Sequence, residues 1–295
     1  MPEFLTPLQD EPAVREEVAA YYSSVRRADD AFGAILDALA EESLLEDALI
    51  VFLSDHGMPL PFAKTQLYYH STRTPLMIDG PGVTAGDDND HVVSAVDLMP
   101  TMLDVLGIET GRDFAGRSFQ PLLSGGTQDG RDFAVLTYFE NSGRNRQPMR
   151  AVRGRDWGYI YNPWSDGRAN FATATDSTAT YKTLLKRADS DPAAAARLEL
   201  MDHRVPEELY YEAADPNDLD NRIDREFDKA RRPRNRLRAW MRAQNDPLLR
   251  TFVSKDPNAE AIYMQTQREL EEQIQGPKAK KRRQRTESGE SRRND

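Results

Sequence analysis

The stretch ALIVFLSDHGMPLPFAKTQLYYHSTRTPLMIDGPG, residues 48–82, carries the pattern that decides the fold. Its apolar run at 48–53 predicts a short strand covered on both faces, as in the interior of an α/β sheet. A carboxylate and an imidazole, Asp55 and His56, follow directly after that run. Because ligands of open α/β sheets bind beyond the carboxyl ends of the strands, this Asp-His pair marks a candidate binding site.

Helical and strand patterns alternate around this stretch. Apolar residues at spacings of three and four predict one long amphipathic helix over residues 12–42. Residues 76–78 predict a second short strand, which Gly80-Pro81-Gly82 ends. Residues 97–106 predict a helix with a proline near its first turn, where a missing N–H costs little. The alternation indicates an α/β core over residues 1–125.

After about residue 130 the pattern changes to successive strands. Strands are predicted at 133–139, 149–153, 157–162 and 208–212, and helices at 193–201 and 219–245, the latter interrupted by Pro233. Since no helix separates the second and third strands, an antiparallel sheet is expected. Residues 126–275 are thus predicted to form a smaller α+β subdomain. The charged, apolar-poor residues 276–295 are predicted to be a disordered tail.

Composition narrows the class of protein. The chain has 295 residues, of which 39% are hydrophobic and 30% charged, as expected for a soluble globular protein. It lacks the roughly eighteen consecutive apolar residues of a membrane span, and no signal peptide is expected from its first residues, which leaves the compartment open. A net charge of −10 argues against nucleic acid as the main partner. The absence of cysteine excludes disulfides and cysteine nucleophiles.

Short motifs follow one another along most of the chain. They are SDHG at 54–57, LY at 67–68, RTPL at 73–76, SAVDLMPTMLD at 94–104, GRS at 116–118, MRAVR at 149–153, ELY at 208–210 and DP at 215–216. In this order they resemble the sulfatase family, within the alkaline-phosphatase-like superfamily. The PLP loop at 59–61 is most similar to the heparan N-sulfatase (sulfamidase) branch. The resemblance implies the C-terminal part of a sulfatase α/β core, followed by a smaller antiparallel sheet with helices.

The same resemblance implies a role for three residues of the opening stretch. Asp55 matches a direct ligand of a divalent cation, calcium before magnesium, manganese or zinc, and a carboxylate suits such a hard cation. His56 stands beside it, as a metal ligand, as a contact to a sulfate oxygen or as a residue that orients Asp55. Lys64 matches the basic residue that bridges the sulfate and the nucleophile, where its charge stabilises developing negative charge. An ordinary surface lysine is the alternative for Lys64.

Three further residues are candidates for substrate contact. The loop at 162–171 mixes Trp164 and Arg168 with carboxylate and amide groups, which suits stacking on a sugar ring and hydrogen bonding to its sulfates. The alternative is a turn-rich loop in which Trp164 is anchored in the core. His70 either reaches the sugar or has a plain polar role in its loop. The implied partner is a sulfated carbohydrate or an aryl sulfate.

The family's nucleophile is missing from this chain. Sulfatases attack with a formylglycine made in a Cys/Ser-x-Pro-x-Arg motif, whereas here the one Pro-x-Arg, at 148–150, is preceded two residues earlier by Arg146. The paired N-terminal aspartates of the metal site are absent too. We interpret the chain as the C-terminal portion of a sulfatase, inactive alone, with the missing N-terminal half as a further partner. A mis-called start, a split gene, a degenerate paralogue, a phosphodiesterase or phosphonate hydrolase of the same superfamily, and a non-catalytic binding remnant are the alternatives.

Overall fold

The computed structural model describes residues 1–88, 90–141, 146–166, 169–171, 173–256 and 258–275. In these residues the α-helices are α1 Pro12–Glu41, α2 Tyr69–Thr72, α3 Leu98–Val105, α4 Gln120–Leu123, α5 Ala179–Ala188, α6 Pro192–Asp202, α7 Arg231–Ala243, α8 Leu249–Phe252 and α9 Ala259–Gln275. The strands are β1 Ile50–Leu53, β2 Leu76–Asp79, β3 Phe133–Glu140, β4 Arg146–Gly154, β5 Trp157–Tyr161 and β6 Glu207–Tyr211. None of the helices described combines the length and the hydropathy needed to cross a membrane. The tail predicted at 276–295 lies outside the described residues.

The chain divides into two compact units that alternate along the sequence. The first unit comprises residues 1–18, 56–73 and 135–295, and the second comprises residues 19–55 and 74–134. Both combine helices with antiparallel strands, which confirms the predicted mixed α/β class. The predicted division into domains at residues 1–125 and 126–275 stays a prediction.

The second unit contains the two-stranded sheet. β1 and β2 pair antiparallel, from Ile50 opposite Asp79 to Leu53 opposite Leu76. The expectation that residues 48–53 are covered on both faces is wrong, because the strand begins at Ile50, its first three residues are half-buried and Leu53 is 43% exposed. The two strands that the structure describes here form a sheet without the further neighbours that enclose an interior strand. The predicted helix near Pro100 is confirmed as α3.

The first unit is built on the sheet order β3-β4-β5-β6. β5 pairs antiparallel with β4 on one side and with β6 on the other, which confirms the predicted antiparallel sheet. The core includes Phe4, Leu5, Val14, Phe62, Tyr68, Met149, Ile160, Trp164, Phe171, Leu184, Met201 and Tyr210. Residues 149–153 of β4 are all buried, because the sheet is covered on both faces at this strand.

One predicted helix is too long. The pattern at 219–245 predicts a helix with an interruption at Pro233, but α7 begins only at Arg231. Pro233 therefore lies in the first turn of α7, where proline is tolerated. Before α7, the Asn221 side chain accepts hydrogen bonds from the amides of Leu209 (3.0 Å) and Ile223 (3.1 Å). Such side-chain bonds to the backbone compete with helix formation.

Candidate functional site

The three residues of the opening motif fall in different units. Asp55 is exposed and belongs to the second unit, directly after β1. His56 and Lys64 belong to the first unit, and both are half-buried. The predicted grouping of all three in one cleft therefore stays a prediction.

His56 is oriented by its neighbour in the chain. Its Nδ1 lies 2.7 Å from the carbonyl oxygen of Gly57. Since a carbonyl oxygen only accepts, Nδ1 carries the proton, and in the neutral ring Nε2 is then an acceptor. A neutral His56 can ligate a metal through Nε2, whereas a protonated one can donate to a sulfate oxygen. This geometry is compatible with the predicted roles of His56 as a metal ligand and as a sulfate contact.

Residues 62–70, which we name the Lys64 loop, form a compact segment of the first unit. Phe62 and Thr65 on either side of Lys64 both have left-handed backbone, with φ of 66° and 56°. The Thr65 hydroxyl donates to the Lys64 carbonyl oxygen (2.8 Å) and contacts the Thr173 hydroxyl. Within the part of the chain that the structure describes, the Lys64 ammonium makes no hydrogen bond or ion pair. A half-buried cation without an acidic partner is a favourable place for an anion.

Gly57 lies where the backbone of this segment closes on itself. A Cβ at Gly57 would lie 1.8 Å from the His70 carbonyl oxygen and 2.6 Å from the Ala63 carbonyl oxygen. Only glycine therefore fits at position 57, between the carbonyl groups of Ala63 and His70, without movement of the backbone. The position of His56 is coupled in this way to the Lys64 loop.

Gly57→Ala is expected to destabilise the protein by about 1–3 kcal/mol, because two backbone carbonyls have to move. Gly33→Ala is the matched control, since nothing lies within 4 Å of a Cβ there. Gly33 lies inside α1, so its replacement is expected to stabilise the protein by about 0.5–1 kcal/mol. Urea unfolding curves of both variants measure the change in the free energy of unfolding. A change of the same sign in both variants would contradict the tight packing at Gly57.

The end of the Lys64 loop is held by a buried arginine on β4. Arg153 donates to the Leu67 carbonyl oxygen through Nε (3.1 Å) and Nη2 (2.7 Å). Its guanidinium also pairs with Asp218, Nη2 to Oδ2 at 2.7 Å, and with Glu212. Asp218 Oδ2 in turn accepts the amide of Tyr69 at 2.7 Å. Burial raises the pKa of the Glu212 carboxyl, and the Arg153 guanidinium opposes that shift.

A second buried group lies under the middle of the loop. Tyr68 donates to Glu208 at 2.8 Å, and burial raises the pKa of its phenol, which stays neutral. The guanidinium carbon of Arg204 lies 4.4 Å from the centre of the Tyr68 ring, and the same guanidinium donates to Gln66 at 2.5 Å. Four neighbouring residues of the loop, 66–69, are thus tied to buried polar side chains.

Arg153, Glu212 and Asp218 are absent from the site residues predicted from the sequence. The motif MRAVR at 149–153 could have indicated Arg153. An arginine at the end of an apolar strand is rarely buried unless it is paired with a carboxylate. The sequence does not reveal which carboxylates are the partners, because they follow 59 and 65 residues later.

The remaining predicted contacts are less favourable for a substrate. Trp164 is 2% exposed and its ring is stacked on Phe171, with centroids 5.3 Å apart. Its burial favours the core anchor over the sugar platform. The Nε2 of His70 lies 2.8 Å from Asn217 Oδ1, and its ring lies 4.6 Å from that of Phe4, which favours a plain structural role. Arg168 lies outside the described residues.

The described residues do not build a metal site by themselves. They contain no group of three or more histidine, aspartate or glutamate side chains that could hold a metal ion. Calcium takes about six to eight oxygen ligands. Asp55 supplies one carboxylate, and His56 is a nitrogen donor that calcium does not favour. The donor set of the described residues therefore does not fit a complete calcium site.

Comparison with known proteins finds sulfatases among the proteins that this chain resembles. Residues 2–108 match the family model described as Sulfatase. Human N-sulphoglucosamine sulphohydrolase is 29% identical over 226 residues, which cover 71% of this chain and 44% of that protein. Arylsulfatase K of Xenopus laevis is 39% identical over 118 residues, which cover 39% of this chain and 22% of that protein. The resemblance to sulfatases is confirmed, and the match to the family model covers residues 2–108.

Solved structures agree on the fold. A 2-O GAG sulfatase matches with a TM-score of 0.59 at 21% identity, over 82% of this chain and 46% of that one. The phosphonate monoester hydrolase of Agrobacterium radiobacter matches with a TM-score of 0.54 at 22% identity, over 76% of this chain and 40% of that one. The chain spans less than half the length of each of these four relatives.

Proposed function

We propose that Lys64 binds the sulfate group of a sulfated sugar or aryl sulfate, as part of a hydrolase of sulfate esters or N-sulfates. The observation that carries this proposal is the Lys64 ammonium, half-buried and, in the described part of the chain, without an acidic partner. It lies within residues 2–108, the segment that matches the sulfatase family. A fixed positive charge lowers the energy of the negative charge that develops when sulfate is transferred.

The choice of substrate class rests on the sequence relatives. One is named N-sulphoglucosamine sulphohydrolase and others arylsulfatase K, which supports N-sulfates and sulfate esters as candidates. The likeness to a phosphonate monoester hydrolase is one of fold at 22% identity. Sulfate is therefore proposed ahead of phosphonate.

We further propose that this chain binds its substrate without turning it over. Covalent catalysis requires an activated nucleophile, and the 295 residues contain no Cys/Ser-x-Pro-x-Arg motif. Ser54, next to Asp55, lacks that motif as well. Asp55 is proposed as one oxygen ligand of a divalent cation, calcium first. The residues that the structure describes supply too few oxygen donors to complete such a site.

Lys64→Ala is expected to weaken sulfate binding about tenfold, which corresponds to about 1.4 kcal/mol. Lys64→Arg is expected to retain most of the affinity, since it keeps the positive charge. Isothermal titration at low ionic strength, with inorganic sulfate and with N-sulfoglucosamine, measures the affinity. Low salt matters because screening weakens such contacts.

Lys186→Ala is the matched control, because Lys186 is exposed on α5 and its loss removes the same charge. Sulfate affinity is expected to be unchanged in this variant. If Lys64→Ala binds sulfate as tightly as the parent chain, Lys64 is an ordinary surface lysine and the proposal is wrong. Release of sulfate from N-sulfoglucosamine by the parent chain with calcium would contradict the proposed lack of turnover.

A further inference from the structure

We infer that Asp218 and Arg153 are positioning residues that hold the Lys64 loop in the conformation in which its ammonium meets a sulfate. This inference rests on the proposed function of Lys64 and assigns the residues that prepare it. Neither residue is inferred to touch the sulfate. Their effect is transmitted through the backbone of the Lys64 loop.

The Lys64 loop needs support from outside. Phe62 and Thr65 both have left-handed backbone, with φ of 66° and 56°, and neither is glycine. Residues with side chains persist in that region where surrounding contacts hold them. Lys64 lies between these two residues, so the direction of its side chain depends on the contacts that hold both.

Asp218 and Arg153 hold the end of the loop through its backbone. The Leu67 carbonyl oxygen accepts two hydrogen bonds from Arg153, at 3.1 and 2.7 Å. The Tyr69 amide donates to Asp218 Oδ2 at 2.7 Å. Arg153 and Asp218 also pair with each other, and both side chains are at most 8% exposed. Charge-assisted hydrogen bonds in a buried setting are short and directional, so they fix the backbone they contact.

Asp218 also reaches the beginning of the loop. Its carbonyl oxygen accepts a hydrogen bond from Arg197 at 3.2 Å. The guanidinium carbon of Arg197 lies 3.6 Å from the centre of the Phe62 ring. Asp218 is therefore connected directly to Tyr69 and, through one arginine, to Phe62. A single residue holds the two sides of the segment that carries Lys64.

The charges of this group do not neutralise Lys64. Arg153 pairs with both carboxylates, Asp218 and Glu212, and Asp218 also accepts the amide of Tyr69. The Lys64 ammonium takes no part in the network. The network thus shapes the loop while the positive charge of Lys64 stays available to an anion.

Asp218→Asn is the test, because asparagine keeps the size of the side chain and tolerates the φ of 50° at this position. It is expected to weaken binding of inorganic sulfate about tenfold by isothermal titration. The matched control is Asp246→Asn, which removes another buried carboxylate of the first unit, paired with Arg150 at 2.7 Å. Both variants are expected to lower the melting temperature, but Asp246→Asn is expected to keep a sulfate affinity within about twofold of the parent chain.

A spectroscopic readout separates positioning from general destabilisation. In nuclear magnetic resonance spectra, sulfate is expected to shift the amide signals of residues 63–70 in the parent chain and in Asp246→Asn. The same shifts are expected to be smaller in Asp218→Asn. Unchanged affinity in Asp218→Asn overturns the inference, and so does an equal loss in Asp246→Asn. If both Asp218→Asn and Lys64→Ala leave sulfate binding unchanged, the proposed function fails and the inference fails with it. If Asp218→Asn leaves binding unchanged but Lys64→Ala weakens it, only the inference fails.

The parent chain supplies a test that needs no variant to fold. If Asp218 holds the loop, the Tyr69 amide exchanges with deuterium as slowly as the amides of β5. Exchange at the rate of an open loop overturns the inference, because the bond from Tyr69 to Asp218 would then be open most of the time.

Discussion

Arg153→Met is expected to lower the free energy of unfolding by about 3–5 kcal/mol, since it leaves two buried carboxylates without their counter-charge. The Glu212 and Asp218 side chains are 4% and 1% exposed, so water does not replace the lost guanidinium. The two hydrogen bonds to the Leu67 carbonyl oxygen are lost as well. Urea unfolding followed by circular dichroism measures the change.

Arg187→Met is the control for Arg153→Met. The Arg187 side chain is 44% exposed and pairs with Asp191 at 3.1 Å on the surface. Exposed ion pairs contribute about 0–1 kcal/mol, so this variant is expected to be nearly as stable as the parent. If the two variants lose similar stability, Arg153 does not carry the buried network that the structure describes.

Trp164→Ala is expected to cost about 3–5 kcal/mol, as for other large aromatic side chains removed from a core. Trp164 is 2% exposed and stacked on Phe171 with an angle of 20° between the rings. Trp164→Phe keeps an aromatic ring against Phe171 and is expected to lose less stability. Thermal unfolding followed in the near ultraviolet distinguishes the two variants.

The same variants decide between the two interpretations of Trp164 drawn from the sequence. A core anchor predicts lost stability, with the affinity of the folded fraction for a sulfated sugar unchanged. A sugar platform predicts unchanged stability and a lower affinity for the sulfated sugar. Full stability of Trp164→Ala together with lost sugar binding would show that the ring leaves the core to meet substrate.

The elements of this fold were predictable where a local pattern determines them. The helix α1 and the strands β3 to β6 lie at the predicted positions, because periodicity and turn residues act over a few neighbouring residues. The exposure of Leu53 was not predictable in that way. An apolar run reports the preference of a strand, whereas burial depends on which other strands lie beside it.

The candidate site divides along the same line. Lys64 and His56 are candidates because they lie in short motifs that resemble those of the sulfatase family. The role of Asp218 is not visible from the sequence, because its contacts lie 149 residues away at Tyr69 and 65 residues away at Arg153. Trp164 illustrates the opposite case, in which a side chain suited to a sugar is equally suited to a core.

The two-stranded sheet has a consequence for how this chain is handled at the bench. Within the residues that the structure describes, β1 and β2 pair only with each other, and Leu53 and Met77 are 43% and 58% exposed. Unpaired main-chain groups beside apolar side chains are a template on which a strand from another molecule can add. During refolding at high protein concentration, pairing of strands between molecules therefore competes with folding within one chain. Refolding from dilute solution is expected to reduce this association.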